Sequence, residues 1–330
     1  MRFLFSFLLA LLPLSLFAIE KDSTVSLSTS TGKIYGTLTL PAQKAHVQER
    51  VPIVIIIAGS GPANRDGNSE LMGGAKVLTN NSLLALGDSL AKYGIASLRY
   101  DKRGIGASKS AAPDEESIRF DDYVSDAIAW VKMMQHDPRF SKVFIAGHSE
   151  GSLVGMLAAQ RVRIAGFISI SGVAVTADSI IMEQLGRSPA ISSVTLDSLR
   201  QFFSVLRGGH FIDSIPKGIY QMFLRKSVQP YLISWMKYVP AHEIAKLKMP
   251  VLIIQGTTDI QVDTVQAFAL KAAKPNAKLV IIDRMNHVLK DLPSRDLADN
   301  QLSYMDPGFL LSPKLTPAIS GFVFAALKKK

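Results

Sequence analysis

The sequence contains no cysteine. That excludes disulfide bridges, a thiolate nucleophile and thiolate-ligated metal sites before any motif is read. Histidine, the other common metal ligand, is sparse. Six are scattered over 330 residues, with no His-Glu-x-x-His pattern and no local cluster. The glycine pairs Gly73-Gly74 and Gly208-Gly209 make neither a phosphate-binding loop nor a dinucleotide fingerprint. No metal and no cofactor is therefore expected. Acidic residues are in the minority, 27 against 37 Lys and Arg, for a formal net charge of +10. A basic surface can attract anionic polymers or membranes. No nucleic-acid motif accompanies the charge, and lysines such as Lys328-Lys329-Lys330 read as solvated surface. No nucleic-acid partner is expected.

Long apolar runs are also scarce, and the one present stands at the start. Met1-Arg2 is a short basic lead, Phe3 to Phe17 is almost wholly apolar, and Ala18 offers a small residue for cleavage. The run is about 15 residues, short of the roughly 20 that a membrane span needs, and Pro13 interrupts it. The pattern predicts a secretory signal peptide over 1–18, with a periplasmic or secreted mature chain beginning near Ile19. No stable membrane span is expected after cleavage. Hydrophobic residues make up 48% of the chain, enough for a full core. The length fits one large domain with an insertion, or two domains.

Along the rest of the chain, strand and helix patterns alternate. Residues 24–40 alternate apolar and polar around Thr31-Gly32, which predicts an antiparallel hairpin. Buried-strand runs follow at Val51–Ala58, Ile95–Tyr100, Lys142–Ala146, Ala165–Ile170, Pro250–Gln255 and Lys278–Asp283. Helical patterns occupy Asn81–Tyr93, Phe120–His136, Ser152–Ala159 and Thr264–Leu270. This rhythm predicts an α/β fold with a mostly parallel central sheet and helices on both faces. It breaks between about Val175 and Ala245, where the patterns are helical and amphipathic and carry Phe202, Phe203, Tyr220, Phe223, Tyr231 and Trp235. The expected organisation is a core of 19–174 and 246–330, with a helical cap over 175–245. Aromatic residues of the cap could wall an acyl pocket, although any one of them more simply glues the cap to the core.

Gly147-His148-Ser149-Glu150-Gly151 joins a buried strand to a helix. The backbone must reverse there within a few residues and hold one side chain above the sheet. Glycines on both sides of the serine leave room for so tight a turn. Matched blindly, G-x-S-x-G arises in roughly one chain in ten of this length, and a serine helix cap is the plain alternative. The remainder of the chain decides. Gln255-Gly256-Thr257-Thr258-Asp259 ends one later strand, and Asn286-His287 follows the next. The order Ser149, Asp259, His287 is that of a nucleophile, an orienting acid and a base set at one edge of a sheet. A serine hydroxyl needs a base to become nucleophilic. His287 would take its proton and return it to the leaving group, while Asp259 would fix the imidazole tautomer. Gly59-Ser60-Gly61-Pro62 ends the most apolar strand. The backbone N–H of Ser60 (or of Gly61) and that of Glu150 are the expected oxyanion donors; Pro62 has none to give.

With Arg65-Asp66-Gly67 and Asp101-Lys102-Arg103-Gly104-Ile105-Gly106-Ala107-Ser108, these motifs resemble α/β-hydrolase fold enzymes, in particular exported bacterial serine esterases related to the serine aminopeptidase branch. The resemblance covers nearly everything after the N-terminal segment. It implies a carboxylic ester hydrolase acting on a small-molecule ester or acyl substrate, with Ser149, Asp259 and His287 as the triad. One departure is Ala58-Gly59, where the family often has His-Gly. Rival readings are a peptidase with the same triad, for which Glu183 in the cap could anchor a substrate amine, and a catalytically silent binding protein. Asp263 is expected to cap a helix and His148 to pack beneath the site. Asp101 and Arg103 should pin their turn by a local ion pair. Arg65 and Asp66 could brace the oxyanion loop or touch substrate.

Overall fold

The computed structural model describes residues 21–42, 50–70 and 77–328; the expected signal peptide over 1–18 lies outside them. Among the described residues ten strands run in chain order as β1 (Lys21–Thr29), β2 (Gly32–Leu40), β3 (Val51–Ile57), β4 (Ser69–Glu70), β5 (Val77–Leu78), β6 (Ala96–Tyr100), β7 (Phe140–His148), β8 (Gly166–Ile170), β9 (Val251–Gly256) and β10 (Lys278–Ile282). The core helices are α1 (Ser82–Lys92), α2 (Phe120–His136) and α3 (Glu150–Arg161). Five helices stand between β8 and β9: α4 (Ala177–Gly186), α5 (Ser193–Arg207), α6 (Ile219–Leu224), α7 (Gln229–Trp235) and α8 (Pro240–Ala245). After β9 come α9 (Thr264–Ala273), α10 (Leu297–Met305) and α11 (Leu315–Lys328).

Eight strands form one sheet in the order β1-β2-β6-β3-β7-β8-β9-β10, while β4 and β5 pair separately. The β1–β2 hairpin is antiparallel and joins β6 antiparallel; every later pairing is parallel. Side-chain alternation builds a core on each face. Ile53, Ile55, Ile57, Ile145 and Phe167 pack with α2 and α3 residues such as Phe120, Val124, Trp130, Leu153 and Leu157. Val54, Ile56, Phe144, Ala146, Ile168 and Ile254 pack on the other side, against Leu83, Leu86 and Leu90 of α1 and Leu315, Ile319 and Val323 of α11. Strands covered on both faces read as near-continuous apolar runs, which explains the unbroken run of β3.

Helices α4–α8 share the first of these cores through Leu199, Phe203, Leu232 and Trp235. Trp235 stacks on Phe120 at the start of α2, with ring centroids 5.8 Å apart and planes 2° from parallel. The Ser234 hydroxyl accepts the Phe120 N–H at 2.8 Å. Helix α7 is thus seated directly over the N-terminus of α2. No described helix is long and apolar enough to cross a membrane.

The chain leaves β3 for β6 on one side and later returns to β7 on the other, so the order reverses around β3. Ligand crevices in open α/β sheets form at the carboxyl ends of strands flanking such a point. Register places Ile57 beside Gly147, His148 beside Ile170, and Ile282 beside Gly256. The carboxyl ends of β3, β7, β9 and β10 consequently share one edge.

Candidate active site

Ser149 sits in the one-residue corner between β7 and α3, with φ 53° and ψ −121°. A positive φ on a residue with a β-carbon costs about 1–3 kcal/mol and persists only where surroundings enforce it. Here they do. The Ser149 N–H donates to the Ile170 carbonyl on β8 at 2.9 Å, and its carbonyl accepts the Ser152 N–H at 3.0 Å. Its hydroxyl makes no hydrogen bond among the described residues and is left available. The flanking glycines are required by contact: a β-carbon on Gly147 would lie 2.2 Å from the Gly151 carbonyl oxygen, and one on Gly151 would lie 2.3 Å from that of Ile57.

Asp259 is fully buried in the turn after β9. Its Oδ1 accepts the N–H groups of Gln261 and Val262, each at 2.8 Å. Its Oδ2 accepts the Gln255 side-chain amide at 3.0 Å and Nδ1–H of His287 at 2.8 Å. Burial alone would raise its pKa. The opposing pull of His287 and of the two backbone donors wins, holding the carboxyl below its usual range. An ionised carboxylate only accepts, so Nδ1 of His287 carries the proton of this bond. Asn286 shapes the loop that presents His287: its Oδ1 accepts the Lys290 N–H at 2.9 Å, and its amide donates to the Ser303 hydroxyl on α10 at 2.8 Å.

His148 ties the Ser149 corner to that loop. Its Nε2 lies 2.8 Å from the His287 carbonyl, and the two rings are 4.8 Å apart between centroids. Burial, helped by the neighbouring His287, pushes the His148 pKa down to about 3. The ring is therefore neutral, and Nε2–H is the donor. Ser149 adjoins this residue in sequence, so serine, histidine and aspartate are gathered at one edge of the sheet.

This depressed pKa makes a stability prediction. Between the ordinary value of 6.5 and about 3, the unfolded chain binds a proton at His148 that the folded chain refuses. Stability then falls as pH drops, by about 1.4 kcal/mol per pH unit from this group. Going from pH 7 to pH 5, wild-type protein should lose about 2 kcal/mol more than the His148→Asn variant. Urea unfolding of both at each pH measures the difference; equal losses would show that the ring is not kept neutral.

The β3 end lies against the same corner. A β-carbon on Gly59 would be 3.2 Å from Cβ of Ser149 and 3.4 Å from Nδ1 of His148. Among the described residues the backbone N–H groups of Ser60 and Glu150 have no hydrogen-bond partner. Behind them, Lys102 and Glu150 form a buried ion pair at 3.4 Å, with side chains 3% and 2% exposed.

Comparison with known proteins agrees with this architecture. A family model described as "Serine aminopeptidase, S33" matches residues 79–204. Esterase EstD of Thermotoga maritima is 26% identical over 275 residues, which are 82% of this chain and 60% of that protein. The chain thus spans well under two thirds of that relative's length. Est1E from Butyrivibrio proteoclasticus superposes with a TM-score of 0.58 at 20% identity, covering 93% of this chain and 99% of that one. An acylaminoacyl peptidase from Pyrococcus horikoshii gives a TM-score of 0.55 at 14% identity, covering 94% of this chain and 42% of that one. The chain shares the fold of these solved structures.

Around this sheet edge, the other singled-out residues take structural places. Asp263 caps α9, its Oδ1 accepting the Val265 N–H at 3.2 Å. Arg65 and Asp66 brace: Arg65 pairs with Asp101 at 3.0 Å, and Asp66 pairs with the buried Arg99. The local Asp101–Arg103 pair does not form. The Asp101 carboxylate is already held by Arg65, by the Arg65 N–H at 2.7 Å and by the Ala107 N–H at 2.9 Å. Arg103 reaches instead to Asp126 of α2, at 2.8 Å from Nε. Two groups that stand in the quoted motifs, but to which the sequence assigned no role, hold the site together. They are Gln255, whose amide grips both Asp259 and the Val262 carbonyl, and Lys102.

Proposed function

We propose that the chain is an exported serine hydrolase that cleaves carboxylic esters of small molecules through an acyl-enzyme. The observation that carries this reading is the Nδ1–H bond from His287 to the buried Asp259 carboxylate, at the sheet edge where Ser149 is held with its hydroxyl unengaged. Nε2 of His287 would accept the Ser149 proton as Oγ attacks the ester carbonyl, and would then hand it to the departing alcohol. The N–H groups of Ser60 and Glu150, free of other partners among the described residues, would receive the oxyanion. Water activated by the same imidazole would release the acid. Export is inferred from Met1-Arg2 and the apolar run to Phe17. The esterase names of the sequence relative and of Est1E agree with the substrate class.

The peptidase alternative needs a free acidic anchor for an amine. Glu183 is the residue to test, and it is already engaged: one carboxylate oxygen pairs with Arg187, and the other accepts the Gln266 amide at 3.2 Å. The decisive experiment combines a fluorophosphonate probe with a substrate panel. Folded mature protein should be labelled on the peptide containing Ser149 and should turn over short-chain nitrophenyl esters far faster than aminoacyl arylamides. Faster arylamide cleavage would favour the peptidase, and a folded protein that is neither labelled nor active would be a binding protein.

A further inference from the structure

Lys102 follows β6, on the strand beside β3, and its ammonium turns inward. Its Nζ donates to the Gly59 carbonyl at 2.5 Å, lies 3.4 Å from Oε1 of Glu150 and sits 5.2 Å above the Tyr123 ring. Burying two charges costs several kcal/mol per ion, and well-packed apolar residues in their place are often no less stable. A contribution to stability is thus a weak reason for the pair. Its location offers a stronger one. Lys102 touches both strand-end segments whose N–H groups face no other partner.

We propose that Lys102 is a positioning residue that fixes the geometry of the oxyanion donors, a role that rests on the serine hydrolase reading above. The chain has no cis peptide among its described residues. In a trans peptide the C=O of one residue and the N–H of the next point in opposite directions. Holding the Gly59 carbonyl toward Lys102 therefore turns the Ser60 N–H away from it. Gly59 itself packs against the Ser149 corner, where a β-carbon on it would lie 3.2 Å from Cβ of Ser149. An ammonium on the carbonyl also polarises that peptide and strengthens the N–H as a donor. The second donor is the backbone N–H of Glu150, whose side chain is tied to the same ammonium. Because the Glu150 carboxylate offsets the Lys102 charge, the effect is chiefly geometric. One buried cation thus holds two backbone donors from separate strand ends in a common frame.

The test is the double variant Lys102→Met with Glu150→Gln, which removes the grip without stranding a buried charge. Its kcat for a nitrophenyl ester should fall about 100-fold with KM held within about threefold. Inhibition by a trifluoromethyl ketone, whose adduct carries an oxyanion, should weaken in proportion, while a simple alcohol competitor should bind as before. Fluorophosphonate should still label Ser149 to completion, only more slowly. A folded double variant with near wild-type kcat overturns the proposal. If the pair of substitutions prevents folding, Lys102→Arg decides. Its longer, planar head displaces the carbonyl, so kcat should fall at least tenfold at unchanged KM, and an unchanged kcat overturns the idea equally. Failure of the underlying hydrolase reading would look different, because wild-type protein itself would then show neither ester turnover nor label.

Discussion

Ester turnover by the Ser149→Ala variant should fall by about a million-fold, to the background left by binding and oxyanion contacts. The substitution is clean. The hydroxyl holds no hydrogen bond among the described residues, and alanine keeps the β-carbon and the same backbone strain. Melting temperature should therefore move by no more than a degree or two from wild type. Kinetics on a nitrophenyl ester, with circular dichroism as the folding control, measure both quantities. A folded variant retaining even a hundredth of wild-type kcat would mean that another group performs the attack.

Gly151→Ala should show the largest effect on stability. Its new methyl would fall 2.3 Å from the Ile57 carbonyl oxygen and 2.6 Å from that of Ala58. Both are backbone atoms at the end of a central strand, so no side-chain rotation can relieve the contact. Helix α3 must retreat from β3, at about 3 kcal/mol or more. Retreat also separates the corner that carries Ser149 from the loop that carries Ser60. The fraction that still folds should accordingly have lost kcat by at least about tenfold, since small misplacements at a reacting centre cost this much or more. Urea unfolding and active-site titration of the folded fraction test the two halves separately. A stable, fully active variant would show that α3 and β3 are not as closely packed as described.

Much of this was legible in residue order, for a physical reason. Parallel strands buried on both faces read as near-continuous apolar runs, so Val51–Ile57 and residues 143–146 and 251–254 announce themselves. Tight corners demand glycine, so Gly147 and Gly151 mark the place of Ser149. The turn Asp259 and the loop His287 follow recognisable strands, which made the meeting of acid and base foreseeable. Contacts across the sheet were not. A lysine after a strand reads as solvated, and nothing local shows that the Lys102 ammonium turns inward to the Gly59 carbonyl. Arg103 finds Asp126 through folding, 23 residues away in the chain. Gln255 reads as one more strand position until its amide is seen on Asp259. Helices α10 and α11 go beyond the predicted elements, although Leu315, Ile319, Phe322 and Val323 have helical spacing. They matter for the site because Ser303 of α10 secures Asn286.

The bond from His148 to the His287 carbonyl has a kinetic corollary. It spans 139 positions of the polypeptide and can close only after β10 has docked at the far margin of the sheet. Chains arrested before that step would hold Ser149 without His287 beside it and, on the proposed mechanism, would be inert. Regain of catalysis during refolding would then time the arrival of the final strand, lagging behind any signal from the earlier, central ones.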